Sequence, residues 1–96
     1  MASIHKLNDE EIKTAVNKLN GWSYVNNKLH KELKFNNFTE AFAFMTRVAM
    51  EAHLMDHHPE WFNVYNKVII DLVTHEADGI SNLDVDLAQK INSSLM

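Results

Sequence analysis

The chain has 96 residues, a formal net charge of −4, 46% hydrophobic residues, two glycines, one proline and no cysteine. That length supports one core and not two. The acidic balance argues against a primary grip on nucleic-acid phosphates, and the lack of cysteine removes disulfides and thiolate zinc sites. No run approaches the roughly 18 apolar residues of a membrane span, and the first residues carry no secretory signal, so the expectation is one soluble domain over residues 1–96, placed in the cytoplasm.

Leu7-Asn8-Asp9-Glu10-Glu11-Ile12 predicts a helix start, in which Asn8 caps, Glu11 reciprocates and Leu7 staples onto Ile12. Ile12, Ala15, Val16 and Leu19 give this helix one apolar stripe, and Asn20-Gly21 supplies a left-handed stop. From Trp22 the period falls to two. Trp22 and Tyr24 share a side, Asn26-Asn27 forms a turn, and Leu29, Leu33 and Phe35 alternate with His30, Glu32 and Lys34, which predicts a hairpin with one wet face. Lys31 falls on the apolar side, so that side is expected to be unsealed near the turn.

Asn37, with Glu40 at the reciprocal position, opens the longest predicted helix, which runs to about Asp56. Phe38, Ala41, Phe42, Met45, Val48, Ala49 and Ala52 share a face expected to pack on the sheet, while Ala43, Met50 and Leu54 form a second apolar row broken by Arg47. A helix apolar on two sides needs two partners. The second is expected to be another copy of the chain, since closed homo-oligomers are the common solution; a loop or the last helix is the blander alternative.

After Asp56-His57-His58-Pro59-Glu60-Trp61 a second hairpin is predicted, from Trp61 to Tyr65 and Val68 to Thr74 around an Asn66-Lys67 turn. Proline pushes His58 toward extended geometry, which marks the helix-to-strand junction. On the last strand Val68, Ile70, Leu72 and Thr74 point one way, and Ile69, Asp71, Val73 and His75 the other. Ser81 and Asp84 open a final helix, with an Ile80 to Val85 staple and a stripe of Leu87, Ala88, Ile91 and Leu95. The order α-β-β-α-β-β-α predicts an α+β two-layer domain, a four-stranded antiparallel sheet with three helices on one face.

The one chemical signal is a group of histidines, His53, His57, His58 and His75, at or near element ends. Each has a structural explanation. A histidine near a helix C-terminus is favoured by the macrodipole, Asp84 serves as a helix cap, and Trp61 and Tyr65 serve as strand packing. Together they admit three readings. In the first, His53 and His57 at i, i+4 chelate a metal with Asp56 or His75, but the glutamate of a zinc hydrolase motif is missing after His53. In the second, the chain is a non-enzymatic interaction module built on its doubly apolar helix. In the third, two histidines carry out metal-free acid-base catalysis near neutral pH.

His53-x3-His57-His58-Pro59, followed by Tyr65, His75 and Asp84, resembles the signature of the pterin-4a-carbinolamine dehydratases, also called dimerisation cofactors of a hepatocyte homeodomain transcription factor. Ala41-Phe42-Ala43-Phe44-Met45-Thr46-Arg47-Val48-Ala49 and the run from Asp56 to Val68 look like the same family. The resemblance implies a homodimer or homotetramer through helix 37–56 and a lyase without cofactor or metal. The implied reaction dehydrates 4a-hydroxytetrahydrobiopterin, left by aromatic amino acid hydroxylases, to quinonoid dihydrobiopterin. It implies His57, His58 and His75 as catalytic residues and His58, Trp61, Asp56, Asp84 and His53 as substrate-binding, with His57 and His75 as the acid-base pair. The alternative it implies is a dimerisation or coactivator module for a transcription factor, which would add the nucleus as a location. Two positions depart from the family: His53 stands where an acidic residue is common, and Leu83 where some members carry arginine, at the rim of the pocket.

Overall fold

The computed structural model describes residues 3–95. Helix α1 (Asp9–Lys18) precedes strands β1 (Ser23–Val25) and β2 (Lys28–Lys34), followed by α2 (Phe38–Met55), β3 (Glu60–Val64), β4 (Lys67–Leu72), a 3-10 turn (His75–Ala77) and α3 (Asn82–Ser93). The strands form one antiparallel sheet in the order β1-β2-β4-β3. This is the predicted α+β arrangement and element order.

Local chemistry accounts for most boundaries. Asn8 and Glu11 form a reciprocal cap at the start of α1, and Ser81 with Asp84 does the same for α3. Asn37 caps α2 by accepting from the Glu40 N–H, but the Glu40 carboxylate reaches the N–H of Asn36 rather than that of Asn37. Asn26 and Asn27 both take positive φ, 52° and 64°, as a two-residue hairpin with the right strand twist requires. In the second hairpin Val64 pairs with Lys67, so the turn residues are Tyr65 and Asn66, one position earlier than predicted. Tyr65 therefore sits at a turn tip with φ 49°, 60% exposed, rather than packing in a strand.

The core lies between the sheet and α2 and α3. Cross-strand register places Leu29 opposite Leu72, Leu33 opposite Val68 and Trp61 opposite Ile70 on the helix-facing side. Against them α2 buries Ala41, Phe44, Val48 and Ala52, and the Phe44 ring lies 5.1 Å from that of Phe35. The predicted sheet-facing stripe is thus rotated: Phe38, Phe42 and Ala49 are exposed, and Phe44, absent from that stripe, is fully buried. Apolar residues occupy so much of the circumference of α2 that their period alone does not select the arc that meets the sheet. On α3, Leu87, Ala88 and Ile91 are buried as expected, joined by Leu83, whereas Leu95 lies past the helix end and is exposed.

Lys31 does not leave the core open. It is only 7% exposed, and its ammonium donates to the Asn20 carbonyl at 2.8 Å and to Asn92 Oδ1 at 3.0 Å. It also lies 5.9 Å from the ring centre of Trp22, whose Nε1 donates to the same Asn92 oxygen at 2.9 Å. Burial holds the Lys31 pKa below the ordinary lysine value. Gly21 (φ 82°) makes room, since a Cβ there would stand 2.6 Å from the Lys31 nitrogen.

Phe44→Ala is expected to lower the unfolding free energy by about 3–5 kcal/mol, and Phe42→Ala to cost less than about 1 kcal/mol in the monomer. Urea unfolding of both variants checks this, and equal losses would place the core on the wrong face of α2.

Candidate active site

The candidate site is assembled where the end of α2, the end of β4 and the start of α3 meet. Helix α2 closes on Asp56, which adopts left-handed φ 54°, ψ 40°, a conformation that Asp tolerates better than most residues. The Asp56 N–H donates to the His53 carbonyl at 3.1 Å and the His57 N–H to that of Ala52 at 3.0 Å, the paired bonds of a Schellman closure. This closure turns the chain sharply and delivers His57 into the protein. The ring Nε2 of His57 then lies 2.6 Å from Asp84 Oδ1.

Asp84 has no exposed surface, and protein donors hold both its oxygens. Oδ2 accepts from the Thr74 hydroxyl at 2.7 Å and from the Ser81 N–H at 2.9 Å. The Ser81 hydroxyl stands 2.7 Å from that of Thr74 and accepts from the Leu83 N–H at 3.1 Å. A carboxylate in the first turn of α3 is also favoured by the helix macrodipole. Capping and support of His57 are therefore one role at this residue. Asp84 is fully enclosed, and the group that meets its Oδ1 is the His57 ring.

The other histidines are distributed differently. His58 is exposed, with its ring 6.4 Å from that of His53. His75 begins the 3-10 turn, is exposed, and places Nε2 3.3 Å from Glu60 Oε2. Glu60 is paired mainly with Lys28, which holds its carboxyl below the ordinary range, and His75 adds to this. His75 also lines a cleft of about 460 Å³ with Tyr24, Lys28 and Asp78. Trp61 is half-buried opposite Ile70, and Asp56 is exposed at the helix end. Among the described residues, no hydrogen bond joins His57, His58 and His75 to one another. Nor does an i, i+4 chelate form, because α2 ends at Met55 and His57 turns to Asp84 while His53 faces His58.

Thr74 and Ser81 were not singled out as site residues, although both carried a signal. Thr74 ends the buried face of β4 as a polar residue among aliphatics, and Ser81 is the α3 cap. Glu60 and Lys28 were missed because their pairing spans two strands separated in the sheet by β4. The groove between α2 and α3, about 820 Å³, is lined by Leu54, Met55, Leu83 and Lys90 among others and by no histidine.

The match to known proteins extends the length of this architecture. The family model described as pterin 4 alpha carbinolamine dehydratase covers residues 5–94. The chain belongs to the pterin 4 alpha carbinolamine dehydratase family. A Solibacter usitatus relative, provisionally named pterin-4-alpha-carbinolamine dehydratase, is 51% identical over 92% of this chain and 93% of its own. A relative in Paraburkholderia xenovorans with the same provisional name is 52% identical over 94% of this chain and 96% of its own. The crystal structure of a protein from Brucella melitensis, described as a transcriptional coactivator/pterin dehydratase, superposes with a TM-score of 0.91 at 39% identity, covering 94% of this chain and 98% of that one. The sequence resemblance to the carbinolamine dehydratases is thereby established as family membership.

A second histidine cluster lies on the open face of the sheet. His30 Nδ1 stands 2.7 Å from Asp71 Oδ1 and Nε2 2.9 Å from Glu32 Oε2. Asp71 foremost, then Glu32, raises the His30 pKa above its ordinary value of 6.5. Because the folded value is the higher one, this cluster stabilises the fold fully below the unfolded pKa and loses its contribution as pH rises through the folded pKa. The stability difference between wild type and His30→Gln is therefore expected to shrink between about pH 6 and about pH 9. Urea unfolding at the two pH values checks it; a difference that stays constant or grows contradicts the assignment.

Proposed function

We propose that this chain dehydrates 4a-hydroxytetrahydrobiopterin to quinonoid dihydrobiopterin, regenerating the pterin used by aromatic amino acid hydroxylases. The observation that carries the reading is the anchored His57: an imidazole fixed by a buried carboxylate at the helix-to-strand corner of a chain matched to this family over nearly its whole length. In the reaction the C4a–O bond breaks, the leaving oxygen takes a proton and departs as water, and N5 gives up its proton as the N5–C4a double bond forms. One group must donate and another accept near neutral pH, which is work suited to imidazoles and typically worth about 10²–10⁴ in rate for each transfer.

In this reading His57 and His75 form the acid-base pair. His75, exposed beside Glu60 and open to a cleft, is free to exchange protons with solvent. His58, with His53 beside it, orients the pterin, and Trp61 and Asp56 bound its pocket. The reaction as written needs no metal and no redox cofactor. With both His57 and His75 changed to alanine, the loss of enzymatically generated 4a-carbinolamine is expected to slow by at least roughly 10²-fold. Stopped-flow absorbance checks this, and an unchanged rate would end the catalytic reading.

The outer face of α2 supports an assembly role for the same chain. Met50 and Leu54 are 67% and 82% exposed, alongside Phe38 and Phe42. Apolar side chains so arranged are commonly covered by a partner, and a second copy meeting the same face gives a closed dimer or tetramer. A transcription-factor partner, as the description of the Brucella melitensis protein suggests, would compete for this face. Met50→Glu or Leu54→Glu is expected to lower the mass measured by light scattering without unfolding the chain. An unchanged mass would remove α2 from the interface.

A further inference from the structure

We propose that Thr74 is a positioning residue for the dehydration, its hydroxyl orienting Asp84 so that His57 is held with its proton on Nε2 and its Nδ1 free to work. This rests on the dehydratase reading and adds to it the atom through which His57 acts.

The hydroxyl protons around Asp84 are few enough to assign. Thr74 Oγ1 has a single proton, and the geometry gives it to Asp84 Oδ2 at 2.7 Å. The 2.7 Å contact between the Thr74 and Ser81 hydroxyls must then use the Ser81 proton. The Thr74 proton spent on Asp84 sets the direction of the whole chain: Ser81 donates to Thr74, and Thr74 donates to Asp84, while Ser81 Oγ also accepts from the Leu83 N–H at 3.1 Å. The Ser81 N–H donates to the same Asp84 oxygen at 2.9 Å. With Asp84 as the carboxylate, held by two donors on Oδ2, both its oxygens accept, and the ring nitrogen 2.6 Å from Oδ1 is the N–H donor.

The consequence falls on the other ring nitrogen. His57 Nδ1 has no hydrogen bond to the described protein, yet no buried side-chain nitrogen or oxygen there lacks a partner. Nδ1 therefore reaches solvent although the residue is only 9% exposed. It is the acceptor a pterin N5–H requires. On accepting that proton, the ring becomes an imidazolium whose Nε2–H still faces Asp84.

Thr74 is suited to this task by its place in the fold. It continues the buried face of β4, and its backbone is tied to Gly79 by two hydrogen bonds, Thr74 N–H to Gly79 O at 2.9 Å and Gly79 N–H to Thr74 O at 3.3 Å. Its side chain thus has a fixed origin and is almost fully buried. An aliphatic residue of the same shape would fill the space but leave Asp84 Oδ2 with the Ser81 N–H as its one remaining donor, so that the carboxylate, and the imidazole with it, is less tightly oriented.

The test is steady-state kinetics on 4a-carbinolamine with wild type, Thr74→Val and Thr74→Ser, each confirmed folded by circular dichroism. Thr74→Val is expected to lower kcat by roughly 10- to 100-fold, the scale of a small misplacement at a reacting group, with KM little changed, and Thr74→Ser to restore most of kcat. If Thr74→Val does not fold, Ser81→Ala, which removes the outer donor and the side-chain cap on the Leu83 N–H but keeps the Ser81 N–H on Asp84, is expected to lower kcat by a smaller factor in the same way. Wild-type kcat in Thr74→Val, or in Ser81→Ala where that variant is needed, overturns the positioning role while leaving the dehydratase reading intact; so does a loss in Thr74→Val that serine fails to restore. An inactive wild-type chain overturns both.

Discussion

A carboxylate with no exposed surface joins three element ends at the candidate site. Asp84 receives His57 from the end of α2, Thr74 from the end of β4, and the Ser81 backbone at the start of α3. Removing such a group would strand several buried donors at once, each costing about 1–3 kcal/mol. The same bonds that close the corner of the fold also orient the imidazole. Stability and site geometry are therefore coupled here, and the site is held by secondary-structure ends rather than by a long loop.

Helix α2 carries a second constraint. Its inner arc of Ala41, Phe44, Val48 and Ala52 builds the core, while its outer arc leaves Phe38, Phe42, Met50 and Leu54 exposed. The small alanines let the helix approach the sheet closely, and Phe44 fills the space toward Phe35. The Schellman closure at Asp56 ends this helix and places His57, so the outer face runs along the same element from Phe38 to Leu54, to within one turn of that closure.

The element order, caps and strand faces were legible because each rests on local chemistry. Asn8 with Glu11, Ser81 with Asp84, Asn26-Asn27 and the alternation from Val68 to Thr74 all act within a few residues. What was not legible depends on tertiary choice. The rotation of α2 onto Phe44 is set by the sheet it meets, and Lys31 closes the core only because Asn20 and Asn92 come together from distant parts of the chain. His57 and Asp84 are 27 positions apart, so spacing could nominate both but not join them. Likewise spacing could not show that His57 meets Asp84 while His75 meets Glu60.

In the proposed site Asp84 fixes His57 with its proton on Nε2 and leaves Nδ1 available. Nitrogen-15 NMR of histidine-labelled protein, at a pH where the His57 ring is neutral, reads this directly. A protonated Nε2 and an unprotonated Nδ1 are expected for His57, with the Nε2 proton held in a strong hydrogen bond. A His57 ring carrying its proton on Nδ1, or exchanging freely between the two nitrogens, would contradict it.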